Sequence, residues 1–117
     1  MNTTVLGQQS EAQAQAFLLR QGLRCVTRNY HAPYGEIDLI MTEGEVLVFV
    51  EIRYRSHTRF GLPCETVTSA KQTRVIQTAA HFLQHHRQYE SHDCRFDVIG
   101  MSRHGKINWI KDAFQVQ

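Results

Sequence analysis

A chain of 117 residues, 42% hydrophobic and 21% charged, suits one domain spanning residues 1–117 and excludes intrinsic disorder. Its formal charge of +2 is too small to argue for nucleic acid by its sum, so the placement of the positive residues decides more. The segment Met1-Asn2-Thr3-Thr4-Val5-Leu6 lacks the basic and apolar regions of a signal peptide, and no stretch nears the ~18 apolar residues of a membrane span. The three cysteines Cys25, Cys64 and Cys94 form neither a disulfide framework nor a zinc pattern, so the expected setting is reducing and cytoplasmic, with no membrane partner.

In chain order, Ala14, Phe17, Leu18 and Gln21 recur at helical spacing, which predicts a helix from about Gln8 to Gln21 with Gly22 at its C-terminal cap. Leu23 to Tyr30 reads as a strand, followed by a turn at Pro33-Tyr34-Gly35. Glu36–Met41 and Val46–Tyr54 read as a hairpin joined at Thr42-Glu43-Gly44-Glu45. Leu47-Val48-Phe49-Val50 is apolar at every position, as expected of a strand covered on both faces. After a loop at Gly61-Leu62-Pro63, a long helix is predicted from Ser69 to about Tyr89. Thr68 or Ser69 would be its N-cap, and Val75, Ile76, Ala79, Phe82 and Leu83 its apolar stripe. Arg95–Met101 and Ile107–Ile110 are two further short strands around His104-Gly105. The order α-β-β-β-α-β-β predicts a mixed α/β layer structure.

Asp38 and Glu51 stand out because each is a carboxylate inside a strongly apolar strand, where an unpartnered charge is costly. If Glu43-Gly44 are the central residues of a tight turn, Asp38 faces Phe49 and Glu36 faces Glu51. Alternation then sets Glu36, Asp38, Glu51 and Arg53 on one face, with Asp38 and Glu51 as diagonal neighbours ~7–8 Å apart. Such a group of carboxylates needs positive charge, which Arg53 or a Mg2+ or Mn2+ ion would supply. The competing reading is a structural ion pair with Arg53 or Arg55. Arg28, Asn29, Arg55, Arg59, Lys71 and Arg74 surround the hairpin, with Tyr30 and His57 among them. Arginine and lysine in such numbers suit a sugar-phosphate backbone, or else form a solvated charged surface.

Asp38, the apolar run and Glu51-Ile52-Arg53 resemble the PD-(D/E)xK nuclease pattern. Gly7-x3-Glu11, Arg28-Asn29-Tyr30, Gly35-Glu36-Ile37-Asp38-Leu39-Ile40 and Val48-Phe49-Val50-Glu51-Ile52-Arg53-Tyr54-Arg55 resemble more closely the bacterial YraN-type family of predicted endonucleases. Phe60-Gly61, Lys71 and Arg95-Phe96-Asp97-Val98 continue the resemblance over nearly the whole chain. It implies a restriction-endonuclease-like fold, similarity to Holliday-junction resolvases, and Mg2+-dependent hydrolysis of DNA phosphodiester bonds, including branched or damaged DNA. It also implies Asp38 and Glu51 as metal ligands with the Ile52 carbonyl as a third, Glu11 as a supporting carboxylate, and, by analogy with resolvases, a homodimer.

The sequence departs from that pattern at Arg53, where lysine is usual. Arginine stays protonated and cannot act as a general base, although it can bind the scissile phosphate. Lys71 offers an ammonium from another direction. The alternative is a nucleic-acid-binding protein that has lost cleavage, and a third reading is a partner-binding domain with merely ion-paired carboxylates. His81 and His85 have the i, i+4 spacing of a zinc pair but no third ligand with them. Asp97 reads as a structural hydrogen-bonding residue, and Trp109 and Phe114 as core or contact residues.

Overall fold

The computed structural model describes residues 5–55, 67–102 and 105–116. Helix α1 (Val5–Arg20) precedes strands β1 (Arg24–Ala32), β2 (Gly35–Glu43) and β3 (Val46–Arg55); helix α2 (Ser69–His85) precedes β4 (Asp93–Ser102) and β5 (Ile107–Phe114). The five strands lie in the order β1-β2-β3-β4-β5. Only β3 and β4 are parallel, and α2 lies between them in sequence, as parallel neighbours require a long crossover. The architecture is mixed α/β with the expected element order, consistent with a restriction-endonuclease-like fold. Among the described residues no helix is long and apolar enough to cross a membrane.

The apolar run of β3 is explained by a helix on each face of the sheet. Leu47 and Phe49 pack with Ile37, Ile40, Phe96 and Val98 under Val75, Ala79 and Phe82 of α2. Val48 and Val50 pack with Leu39, Met41, Ile99 and Met101 under Ala14 and Leu18 of α1. Each such fully buried side chain contributes roughly 1.5–3 kcal/mol, so these two layers hold β3 at the centre of the molecule.

The helix ends follow local chemistry. At the end of α1, Gly22 takes φ +99°, and the Leu23 N–H donates to Leu18 O at 3.1 Å, which closes the helix and buries Leu23. Thr68 caps α2 by accepting from the Lys71 N–H at 3.1 Å. α2 stops at His85, short of the expected Tyr89, and Arg87–Tyr89 form a separate 3-10 turn. His86 leaves helical geometry (φ −137°, ψ 71°), and the Nδ1 atoms of His85 and His86 donate back to the carbonyls of His81 and Phe82 (2.8 and 2.9 Å) in the last turn.

β5 runs to Phe114, beyond the expected Ile110, because a bulge rather than a turn interrupts it. Asp112 adopts φ +54° there, and its N–H donates to Asp97 Oδ1 at 3.0 Å. Asp97 is 0% exposed and also accepts from Arg95 Nε and Nη2 (3.0 and 3.2 Å) and from Trp109 Nε1 (2.9 Å). Arg95 in turn reaches Glu43 Oε1 at 2.7 Å, tying the bulge to the β2–β3 turn. Asp97 is therefore a structural residue with its acceptors filled. Replacing Asp97 with Ala, which leaves Arg95 and the Trp109 N–H underpartnered, is expected to cost about 3 kcal/mol in urea unfolding. A loss below about 1 kcal/mol would contradict this account of the bulge.

Candidate functional site

β2 and β3 pair from Glu43 with Val46 to Leu39 with Val50, so Gly44-Glu45 are the central turn residues, not Glu43-Gly44. Gly44 has φ +60°, the positive value that two-residue hairpins favour at the first central position. This corrects the register by two positions. An even shift keeps each side chain on its face but changes its partner, so Asp38 faces Glu51 directly instead of diagonally. The two carboxylates occupy the first positions beyond the paired ladder.

Strand alternation fails at the same point. Ile37 and Ile40 both enter the core under α2, while Leu39 and Met41 enter the core under α1. In β1, Asn29 lies between the Arg28–Leu39 and Tyr30–Ile37 pairs and takes the left-handed φ of +52°, which asparagine tolerates better than most residues. Both strands thus depart from regular pleat where Asp38 sits. Its Oδ2 accepts the Ile52 N–H at 2.8 Å, a side chain substituting for the next backbone rung.

Glu51 is only 4% exposed. Its Oε1 lies 3.3 Å from Lys71 Nζ, which the Thr68 cap brings to the first turn of α2. Its Oε2 is buried and receives no hydrogen bond from a donor among the described residues. Burial, and then the neighbouring Asp38 carboxylate, push the Glu51 carboxyl up to about 8, against the opposing pull of Lys71. Asp38 is raised as well, first by burial and further by Glu11 and Glu36, while the Ile52 N–H and Lys71 oppose the shift. The pair is close enough to share a proton, and the raised value of Glu51 means that at neutral pH it retains one.

The remaining candidate residues divide between the two sides of this point. Glu11, on α1, contributes negative potential at Asp38 and accepts from Asn29 Nδ2 at 3.2 Å. Arg28 and Asn29 are exposed on β1. Arg74 is exposed on α2, one turn beyond Lys71. Arg53 is half-buried and pairs with Gly100 of β4, and Arg55 ends β3. Arg59 and His57 lie outside the described residues, as does the predicted loop at Gly61-Leu62-Pro63. Glu36 pairs with His31 at 3.5 Å, so it is engaged away from the Asp38–Glu51 pair. Sequence reasoning missed the Asn29–Glu11 bond and the left-handed Asn29; the asparagine between Arg28 and Tyr30 was its only visible sign.

Among the described residues no three His, Cys, Asp or Glu side chains form a metal-holding group, and the His81–His85 pair gains no third ligand. The carboxylates therefore stand as a pair. A pair fits a hard divalent cation, which commonly takes one or two carboxylates and completes its shell with water and phosphate oxygens. The buried Glu51 Oε2 is an acceptor of the kind such an ion uses.

A five-stranded mixed sheet between two helices, with a buried carboxylate pair where its central hairpin opens, defines the class of this protein. Within that class the chain belongs to the uncharacterised protein family UPF0102, the YraN family, whose profile matches residues 10–101. It is 44% identical over 115 residues to a UPF0102 protein of Coxiella burnetii (strain RSA 493 / Nine Mile phase I), covering 98% of this chain and 96% of that relative. It is also 44% identical over 117 residues to a UPF0102 protein of Francisella tularensis subsp. tularensis (strain WY96-3418), covering 99% of both.

The Glu51 carboxyl implies a pH dependence of stability. Its folded value lies above its unfolded one, so between about pH 4.5 and 8 the folded state binds the extra proton. Stability is then expected to fall as pH rises through that window, by roughly 2–4 kcal/mol in metal-free buffer. The Glu51→Gln variant should lose most of this slope in urea titrations at successive pH values. An unchanged slope would refute the assignment.

Proposed function

We propose that this protein is a metal-dependent endonuclease that hydrolyses DNA phosphodiester bonds, including those of branched or damaged DNA. The observation that carries the reading is the Asp38–Glu51 pair: two facing carboxylates, one half-buried and one buried, the second with an oxygen that no donor among the described residues satisfies. Without an ion the pair keeps a proton beside the Lys71 ammonium, and a divalent cation is suited to take that proton's place between the two carboxylates.

Asp38 and Glu51 would hold Mg2+ or Mn2+, with the Ile52 carbonyl as a further ligand. The ion, when bound, supplies positive charge to the scissile phosphate and lowers the pKa of water. The residues of the chain supply the rest. The Ile52 N–H fixes one Asp38 oxygen and so holds the carboxylate in place beside Glu51. Lys71 steadies Glu51 through Oε1 and brings an amine to the site. In PD-(D/E)xK enzymes that amine is expected two residues after the glutamate, where this chain has Arg53. We assign the role to Lys71, which reaches Glu51 from α2. Arg53 stays protonated and serves to neutralise phosphate charge. Arg28 and Arg74, on β1 and α2, are suited to contact the flanking backbone. Glu11 restrains Asn29 and adds negative potential that favours a cation at Asp38.

A second reading, binding without cleavage, is favoured by one observation, the arginine at position 53. Incubation of the purified protein with Mg2+ or Mn2+ and linear, flapped and four-way DNA separates the two. Cleavage by the wild type should disappear in Asp38→Ala and Glu51→Ala and fall about 100-fold or more in Lys71→Ala. Cleavage that survives both carboxylate substitutions would overturn the proposal. Binding without cleavage, with activity appearing only in Arg53→Lys, would establish the second reading.

A further inference from the structure

The polar face of α2 does not end at Lys71. Lys71, Arg74, His81 and His85 fall at i, i+3, i+10 and i+14 and form one row on α2, interrupted at i+7 by Thr78, which is buried beneath the β1–β2 turn. At 1.5 Å per residue it extends about 21 Å from the carboxylate pair. The β1–β2 turn lies against α2 at Thr78 and Arg74, with Gly35 at the contact in the positive φ of +151° that favours glycine. A Cβ added there would already meet Thr78 Oγ1 at 3.7 Å and Arg74 Cβ at 3.8 Å.

The far end of the row is a cluster of rings. His81 and His85 stack at 4.2 Å with 23° between their planes. The Tyr30 hydroxyl and His81 Nδ1 are 2.6 Å apart, which fixes the His81 ring. Tyr34 stands edge-on to His81 at 6.4 Å and is 49% exposed, one of few large side chains so exposed among the described residues. Its outer side borders an open depression of about 360 Å³ shared with His31 and Glu36. Tyr34, His81 and His85 are outside the core cluster, which Phe82 and Tyr30 close at this end.

Cations near the carboxylates and exposed rings farther along match the two components of an unpaired nucleic-acid strand, phosphate first and base faces beyond. We propose that a single-stranded DNA tail leaving the Asp38–Glu51 pair passes over Lys71 and Arg74 and across the β1–β2 turn, with its bases stacking on the Tyr34–His81–His85 rings. The row has room for about six nucleotides at stacked spacing. This inference rests on the nuclease reading and narrows its substrate to DNA with an unpaired end or flap. A fully paired duplex has no base face to offer these rings.

The test is the ratio of affinities for a single-strand-tailed duplex and a blunt duplex of equal length, by fluorescence anisotropy in EDTA. The wild type should prefer the tailed DNA. Tyr34→Ala and His85→Ala should each reduce that preference roughly tenfold, and Tyr34→Phe should retain it. Both side chains are at the surface, and thermal melting verifies that each variant is folded. No preference in the wild type overturns the proposal, as does an unchanged ratio in both alanine variants or equal loss of tailed and blunt binding. A tail preference that behaves as expected in a protein that never cleaves DNA keeps the stacking platform and rejects the nuclease reading. Cleavage with no tail preference does the reverse.

Discussion

The structure around the central hairpin is organised by the repulsion between two carboxylates that share a nearly dry site. Asp38 and Glu51 face each other across β2 and β3, and neither has enough water around it to disperse its charge. Three features answer that repulsion. The Ile52 N–H abandons a backbone acceptor for Asp38, Lys71 reaches Glu51 from another element, and the pair holds a proton. The N-cap at Thr68 belongs to the same arrangement, because it sets where α2 begins and therefore which residue arrives opposite Glu51.

The rest of the fold supplies rigidity to this point. β3 is packed from both sides, with Phe49 against Phe82 and Phe96 on one face and Val48 and Val50 under α1 on the other. A strand held this way cannot rotate to carry Glu51 into solvent without opening two cores. On the opposite end of the hairpin, Arg95 links Glu43 to the buried Asp97, so the turn and the β4–β5 bulge move together. The site is thereby placed where regular pairing stops while its supports continue, and the polar groups freed by that stop are available to a ligand. Electrostatic interactions gain strength in such surroundings because little solvent screens them.

Much of this was legible in the order of residues. Apolar runs at period two and at helical spacing identified each strand and helix, and the two carboxylates were visible because they interrupted such runs. Position errors arose where side chains compete with the backbone. α2 ends early where the His86 backbone leaves helical geometry and its imidazole turns back to the Phe82 carbonyl, and Asp97 captures an Asp112 N–H and lengthens β5 through a bulge. Neither event has a periodic signature. Asn29 likewise looked like one more polar residue beside an arginine, and only its left-handed backbone revealed the step that turns Asp38.

The sequence by itself determined which residues bear charge in apolar strands, that the hairpin brings two of them to one face, and that position 53 carries an arginine. Parity accounts for this: an even error in register preserves the face of each side chain between the turn and the point where alternation breaks beside Ile37. Tertiary structure decided the distances. Gly44 rather than Glu43 opens the turn, so Asp38 and Glu51 meet directly. Lys71, 20 positions beyond Glu51 in sequence, becomes its partner at 3.3 Å. Local pattern holds no measure of that second separation, because it is set by how α2 docks on the sheet through Val75, Ala79 and Phe82.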